Sequence, residues 1–146
     1  MTEVEELLER PGKLGEEIRA LEGKAAMLEE AAKGHTSVLS LSGGGGGGHT
    51  GSRMENLLIR AADLQKKAER LRLEREEACR EICLLLEKLD SPEQAQVLML
   101  HYVKGLSFRQ IGRMMGYTER NVYYLRRKGV EELALKDLLR GVVGSC

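Results

Sequence analysis

The sequence predicts an all-α fold: a long helical hairpin or coiled coil, followed by a C-terminal domain of short helices. Three observations carry that reading. Apolar residues recur at alternating spacings of four and three along two long stretches; charged residues make up 32% of the 146 while aromatics make up 3%; and the chain holds only two prolines and no tryptophan. Such a composition suits helices with one polar face and not a sheet sandwich. The length fits one domain, or a small domain with an appendage.

In the first segment, 1–32, Leu14, Ile18, Leu21, Ala25, Leu28 and Ala32 form the apolar seam of a helix that wants a helical partner. A short acidic helix precedes it, and Pro11-Gly12 is expected to break the two apart. Gly34 is expected to close the seam helix. Residues 33–51, with six consecutive glycines at 43–48, have no means of burying a core and read as a flexible tether.

Ser52 and Glu55 have the spacing of a capping box and are expected to start the longest helix, 52–90. Its seam is Leu57, Ala61, Leu64, Ala68, Leu71, Arg75, Ala78, Ile82, Leu85 and Leu89, with Arg75 as the one charged interruption. At 1.5 Å per residue it would be a rod of about 57 Å. The shorter seam is expected to pair antiparallel on part of this rod and to leave the rest for a second subunit, so that a homo-oligomer is an open possibility beside a purely internal core.

Past Asp90 the helices become short and explicitly punctuated. Ser91-Pro92-Glu93-Gln94 is a start with proline at the first helical position, and Gly105 is a left-handed stop. Ser107-Phe108-Arg109-Gln110 is a second box, Gly116 a second stop, and Thr118 caps a helix that can run to about Leu139. From Phe108 onward the spacing is that of a helix-turn-helix, so that 91–140 reads as a helix-turn-helix domain. Gly112 lets two helices approach, Gly116 makes the turn, and Ile111, Met115, Val122 and Leu125 lock the crossing.

Net charge is zero, so any affinity for a polyanion must be local. It is: 107–128 holds Arg109, Arg113, Arg120, Arg126, Arg127 and Lys128 against Glu119 alone. With Val122, Leu125 and Gly129 turned inward, the second helix shows Glu119, Arg120, Asn121, Tyr124, Arg127 and Lys128 outward. Arginine can read guanine, asparagine adenine, and glutamate can accept from cytosine, while tyrosine can donate to phosphate or stack. Glu119, Arg120, Asn121 and Tyr124 are therefore the candidate base contacts. Ser107, Arg109, Thr118, Arg126, Arg127 and Lys128 are the candidates for the DNA backbone. For Tyr123 packing is the better reading.

Residues 106–133, LSFRQIGRMMGYTERNVYYLRRKGVEEL, resemble region 4 of bacterial sigma factors. More closely, 91–133 behind a long helix is similar to the sigma-region-4-like proteins of phages and prophages related to the RinA and ArpU late-gene regulators. The likeness is strong over 91–133 and weak before Ser52. It implies double-stranded DNA binding and transcription regulation, with RNA polymerase or another regulator as further partner. By position it also implies base contacts at Glu119, Arg120, Asn121 and Tyr124, with Ser107 and Lys128 near the backbone. These positions depart from the housekeeping pattern, so a −35 promoter hexamer is not to be assumed as the site, and the sequence read stays open. A phage small terminase subunit, or a helical adaptor that docks on protein, are the alternative readings.

Other chemistry finds no support in the sequence. Cys79 and Cys83, four apart on a helix, read as core filling and not as a zinc or redox pair. His35, His49 and His101 are scattered, and no metal or other cofactor is expected. His49-Thr50-Gly51-Ser52 lacks the lysine of a phosphate loop, and no grouping suggests a catalytic cleft, so an enzyme is not expected. The longest apolar run, Ile82 to Leu86, is far short of a membrane span of about twenty residues. The acidic N-terminus lacks the basic start of a secretory signal, and three cysteines cannot close a disulfide framework, which makes the bacterial cytoplasm the expected location.

Overall fold

A computed structural model of the chain describes the backbone of residues 2–42 and 47–144, and the side chains of 2–34 and 52–137. Five α-helices follow in order: α1 Glu3–Ser42, α2 Gly47–Leu86, α3 Pro92–Leu98, α4 Phe108–Met115 and α5 Glu119–Gly144, with a π-helical turn, Met99–Val103, continuing α3. There is no strand among the described residues, and no helix among them is long and apolar enough to cross a membrane. The chain divides into two compact units: Leu14–Glu74, and a second built from Met1–Lys13 with Arg75–Cys146.

The unit Leu14–Glu74 is an antiparallel helix pair. Its direction follows from Arg72, which meets Glu22 at 2.5 Å, and from Gln65, which donates to Glu29 at 2.7 Å. The seam is mostly alanine: Ala25, Ala32, Ala61 and Ala68 are buried, together with Leu14 and Ile18. Alanine at alternate seam positions lets two helices approach closely, but each contributes only one methyl to burial.

In the second unit, Val4 and Leu8 of α1 join Ile82 and Leu86 of α2, Leu98 of α3, and Val130 and Leu133 of α5 in one buried cluster. Burying each such side chain is worth roughly 1.5–3 kcal/mol. The adjoining cluster of Val97, Ile111 and Val122 is packed by Leu100, Leu106, Phe108, Met115, Tyr117 and Leu125. The π turn serves both, since Tyr102 and Val103 face the first cluster while Leu100 faces the second. Lys136 on α5 donates to the carbonyl of Lys88 and stands 3.4 Å from Asp90, closing the C-terminal end of α2.

Several helix boundaries differ from the sequence expectation: α2 stops at Leu86, short of the expected 90, α5 runs on to Gly144 past the expected Leu139, and three further differences lie at Pro11-Gly12, Gly34 and Ser52. The break at Pro11-Gly12 does not occur, because α1 runs through it. An internal proline costs about 3 kcal/mol. Against that cost, Val4, Leu8 and Pro11 are all buried on one face of the helix, and the Arg75 Nε donates to the Pro11 carbonyl at 3.2 Å. Gly34 does not end α1, which continues to Ser42; glycine in a helix costs about 1 kcal/mol and does not forbid it. The start expected at Ser52 is overtaken, since α2 begins at Gly47 and leaves Ser52 and Glu55 exposed within the helix. Once nucleated, a helix gains one hydrogen bond per added residue, and serine and glutamate are tolerated inside it. Of the tether expected over 33–51, residues 43–46 and the side chains of 35–51 lie outside the described residues.

Arg75, the charged interruption of the α2 seam, has a structural task. Besides its bond to Pro11, its Nη2 donates to the Val103 carbonyl at 3.4 Å, so one guanidinium ties α1, α2 and the π turn together. Arg75→Ala is expected to lower stability by about 1–3 kcal/mol, since it removes two hydrogen bonds from a charged donor to part-buried backbone carbonyls. Urea denaturation followed by circular dichroism checks this, and an unchanged midpoint would show the ties to be without weight.

Candidate nucleic-acid interface

The helix-turn-helix is set by its caps and glycines. Ser107 Oγ accepts from the Gln110 N–H at 3.2 Å while the Gln110 side chain accepts from the Ser107 N–H at 2.9 Å, the reciprocal box that starts α4. Gly116 ends α4 in the left-handed region, at φ 73°. Two residues on, Thr118 Oγ1 accepts from the Asn121 N–H at 3.1 Å and caps α5. At Gly112 the helices come so close that a Cβ would sit 2.8 Å from the Tyr117 carbonyl oxygen. Ile111 and Val122 are buried across the crossing.

This scaffold turns the first three turns of α5 outward. Glu119, Arg120, Asn121, Tyr124, Arg127 and Lys128 are all exposed, as are Ser107, Arg109 and Thr118. The Tyr124 ring is flanked by cations, with the Arg127 guanidinium and the Lys128 ammonium each 5.8 Å from its centre. Lys128 also stands 3.8 Å from Glu131. Arg120, Tyr123, Tyr124, Arg126 and Arg127 line a single cleft. Ser107, the N-cap of α4, and Arg109, in its first turn, do not line it.

Arg126 stands differently from the other cations. It is half-buried, and its Nε donates to the Tyr102 hydroxyl at 3.0 Å, so it joins α5 to the π turn. Tyr123 is half exposed and its ring packs on Phe108, with centroids 4.4 Å apart. Behind it, Phe108 stacks on His101 at 4.1 Å, and His101 Nδ1 lies 2.8 Å from the Leu106 carbonyl. Sequence reasoning missed this row of His101, Phe108 and Tyr123 and the Arg126–Tyr102 bond. Both depend on the π turn, for which no sequence pattern gives a local signal. Cys79 and Cys83 are half-buried on α2.

The fold and its exposed basic face define a helix-turn-helix unit of the kind that binds DNA. Residues 80–133 match the family model for sigma-70 region 4, a match that begins in the last two turns of α2 and ends within α5. No curated protein and no solved structure matches the chain.

Proposed function

We propose that this protein binds double-stranded DNA in a sequence-specific way and regulates transcription, with the start of α5 as the reading element in the major groove. The observation that carries this is the match of 80–133 to sigma-70 region 4 on a helix whose outward face bears Arg120, Asn121, Tyr124, Arg127 and Lys128. Glu119, Arg120, Asn121 and Tyr124 are the base contacts in this reading. Glutamate at the tip of a reading helix would repel phosphate, so its useful role there is to accept a hydrogen bond from cytosine. Ser107, Arg109, Thr118, Arg127 and Lys128 meet the phosphates, and Arg126 acts mainly through its tie to Tyr102. The resemblance of 91–133 to the RinA and ArpU type supports a phage or prophage regulator working in a bacterial cytoplasm, with RNA polymerase or another regulator as second partner.

The test is selection of bound fragments from random duplexes by the full chain at near-physiological salt. An enriched motif is the expected result. Binding to all duplexes alike, or to none even at low salt, overturns the reading.

A further inference from the structure

Tyr123 is anchored at its ring and open at its hydroxyl. The residue is 50% exposed, its ring lies 4.4 Å from that of Phe108, and its hydroxyl makes no hydrogen bond among the described residues. Phe108 is backed in turn by His101, whose ring is stacked on it at 4.1 Å and whose Nδ1 lies 2.8 Å from the Leu106 carbonyl. The row thus ends on main chain. A side chain braced in this way has little conformational freedom left to lose when it meets a ligand. Phenylalanine at 123 would give the same packing, so the row itself does not account for the hydroxyl.

The placement of Tyr123 accounts for it. On α5 it follows Arg120 by three residues and precedes Arg127 by four, which puts the three side by side on the helix surface. They line one cleft with Tyr124 and Arg126, and no acidic residue lines it. Three guanidinium groups without a carboxylate attract an anion to that cleft. On its other side Tyr123 touches Phe108, the first residue of α4, whose neighbours Ser107 and Arg109 are exposed. Tyr123 is therefore the residue through which the basic cleft of α5 reaches the first turn of α4. A phosphate strand running from Arg127 to Ser107 would pass its hydroxyl. A neutral hydroxyl there can donate to a phosphate oxygen without adding to the mutual repulsion of the three arginines.

We propose that Tyr123 is a further DNA contact, its ring held by Phe108 and its hydroxyl donating to a backbone phosphate at the cleft of α5. This rests on the reading that α5 meets duplex DNA but not on sequence specificity, since a phosphate contact serves every sequence. Tyr123→Phe keeps the ring and removes the hydroxyl. It is expected to weaken random duplex and duplex carrying a selected motif alike, by about tenfold in Kd. The slope of log affinity against log salt and the melting midpoint should both stay as in wild type, because neither charge nor packing is lost. Tyr123→Arg places a cation at the same point and is expected to steepen the salt slope by about one unit. Fluorescence anisotropy of the full chain across a salt series, with melting followed by circular dichroism, measures all of these. If wild type binds and Tyr123→Phe binds equally well, Tyr123 is packing alone and the proposal is overturned. Loss confined to the selected motif overturns it too, as does loss that comes with a lowered melting midpoint or a Tyr123→Arg slope equal to wild type. A wild-type chain that binds no duplex even at low salt overturns the proposal together with the reading beneath it.

Discussion

Gly112→Ala is expected to lower the stability of the unit that holds the helix-turn-helix by about 1–3 kcal/mol, and Gly112→Val by more. The added Cβ would lie 2.8 Å from the Tyr117 carbonyl oxygen, and that oxygen has little room to retreat. Tyr117 is pinned by its own N–H, which donates to the Gly112 carbonyl at 2.9 Å, and it stands between the left-handed Gly116 and the Thr118 cap. Relief would require α4 and α5 to separate, which opens the contact between Ile111 and Val122. Gly23, in α1, provides the contrast: a Cβ there meets nothing within 4 Å. Gly23→Ala is therefore expected to stabilise by up to about 1 kcal/mol through helix propensity alone. Urea denaturation of both variants, followed by helicity, decides the matter. A Gly112→Ala midpoint equal to wild type would mean that the crossing is looser than its geometry states.

The C-terminal punctuation was legible because each signal there acts over three or four residues. Ser107 with Gln110, Gly116 and Thr118 stand as their residue types require, and the crossing residues Ile111 and Val122 are buried as their spacing implies. That two helices pair was likewise readable from two seams of matching rhythm, and the antiparallel direction, the simplest arrangement of them, is the one the contacts Glu22–Arg72 and Glu29–Gln65 show. What could not be read were effects of distant packing on local preference. Proline and glycine in α1 argue for breaks, yet Pro11 is itself buried, and the packing of Val4 and Leu8 into a core with residues from 82 to 133 outweighs the local cost. Arg75 looked like a flaw in a seam because its acceptors, the carbonyls of Pro11 and Val103, are 64 and 28 residues away. The tie of Arg126 to Tyr102 was hidden for the same reason: the partner lies 24 residues back in a π turn that no periodicity announces.

That distinction among the arginines leads to the second large effect, on DNA affinity. Arg120→Ala is expected to cost about 1–3 kcal/mol on the selected site and almost nothing on random duplex. Arg120 lies in the first turn of α5, the end of a reading helix that comes nearest the base edges, and its exposed guanidinium can meet guanine with two parallel hydrogen bonds. Arg127 is two turns further along, beside the Tyr124 ring, where a helix crossing the groove meets the DNA backbone. Arg127→Ala is expected to weaken every sequence alike and to reduce the slope of log affinity against log salt by about one unit, the share of a single phosphate contact. Arg126→Ala should differ from both. With its Nε spent on Tyr102, its loss should appear first in the melting midpoint, and the salt slope should change little. Fluorescence anisotropy on selected and random duplexes across a salt series separates the three. If Arg120→Ala and Arg127→Ala lose affinity equally on both duplexes, the division of α5 into a base-reading start and a backbone-holding middle is wrong.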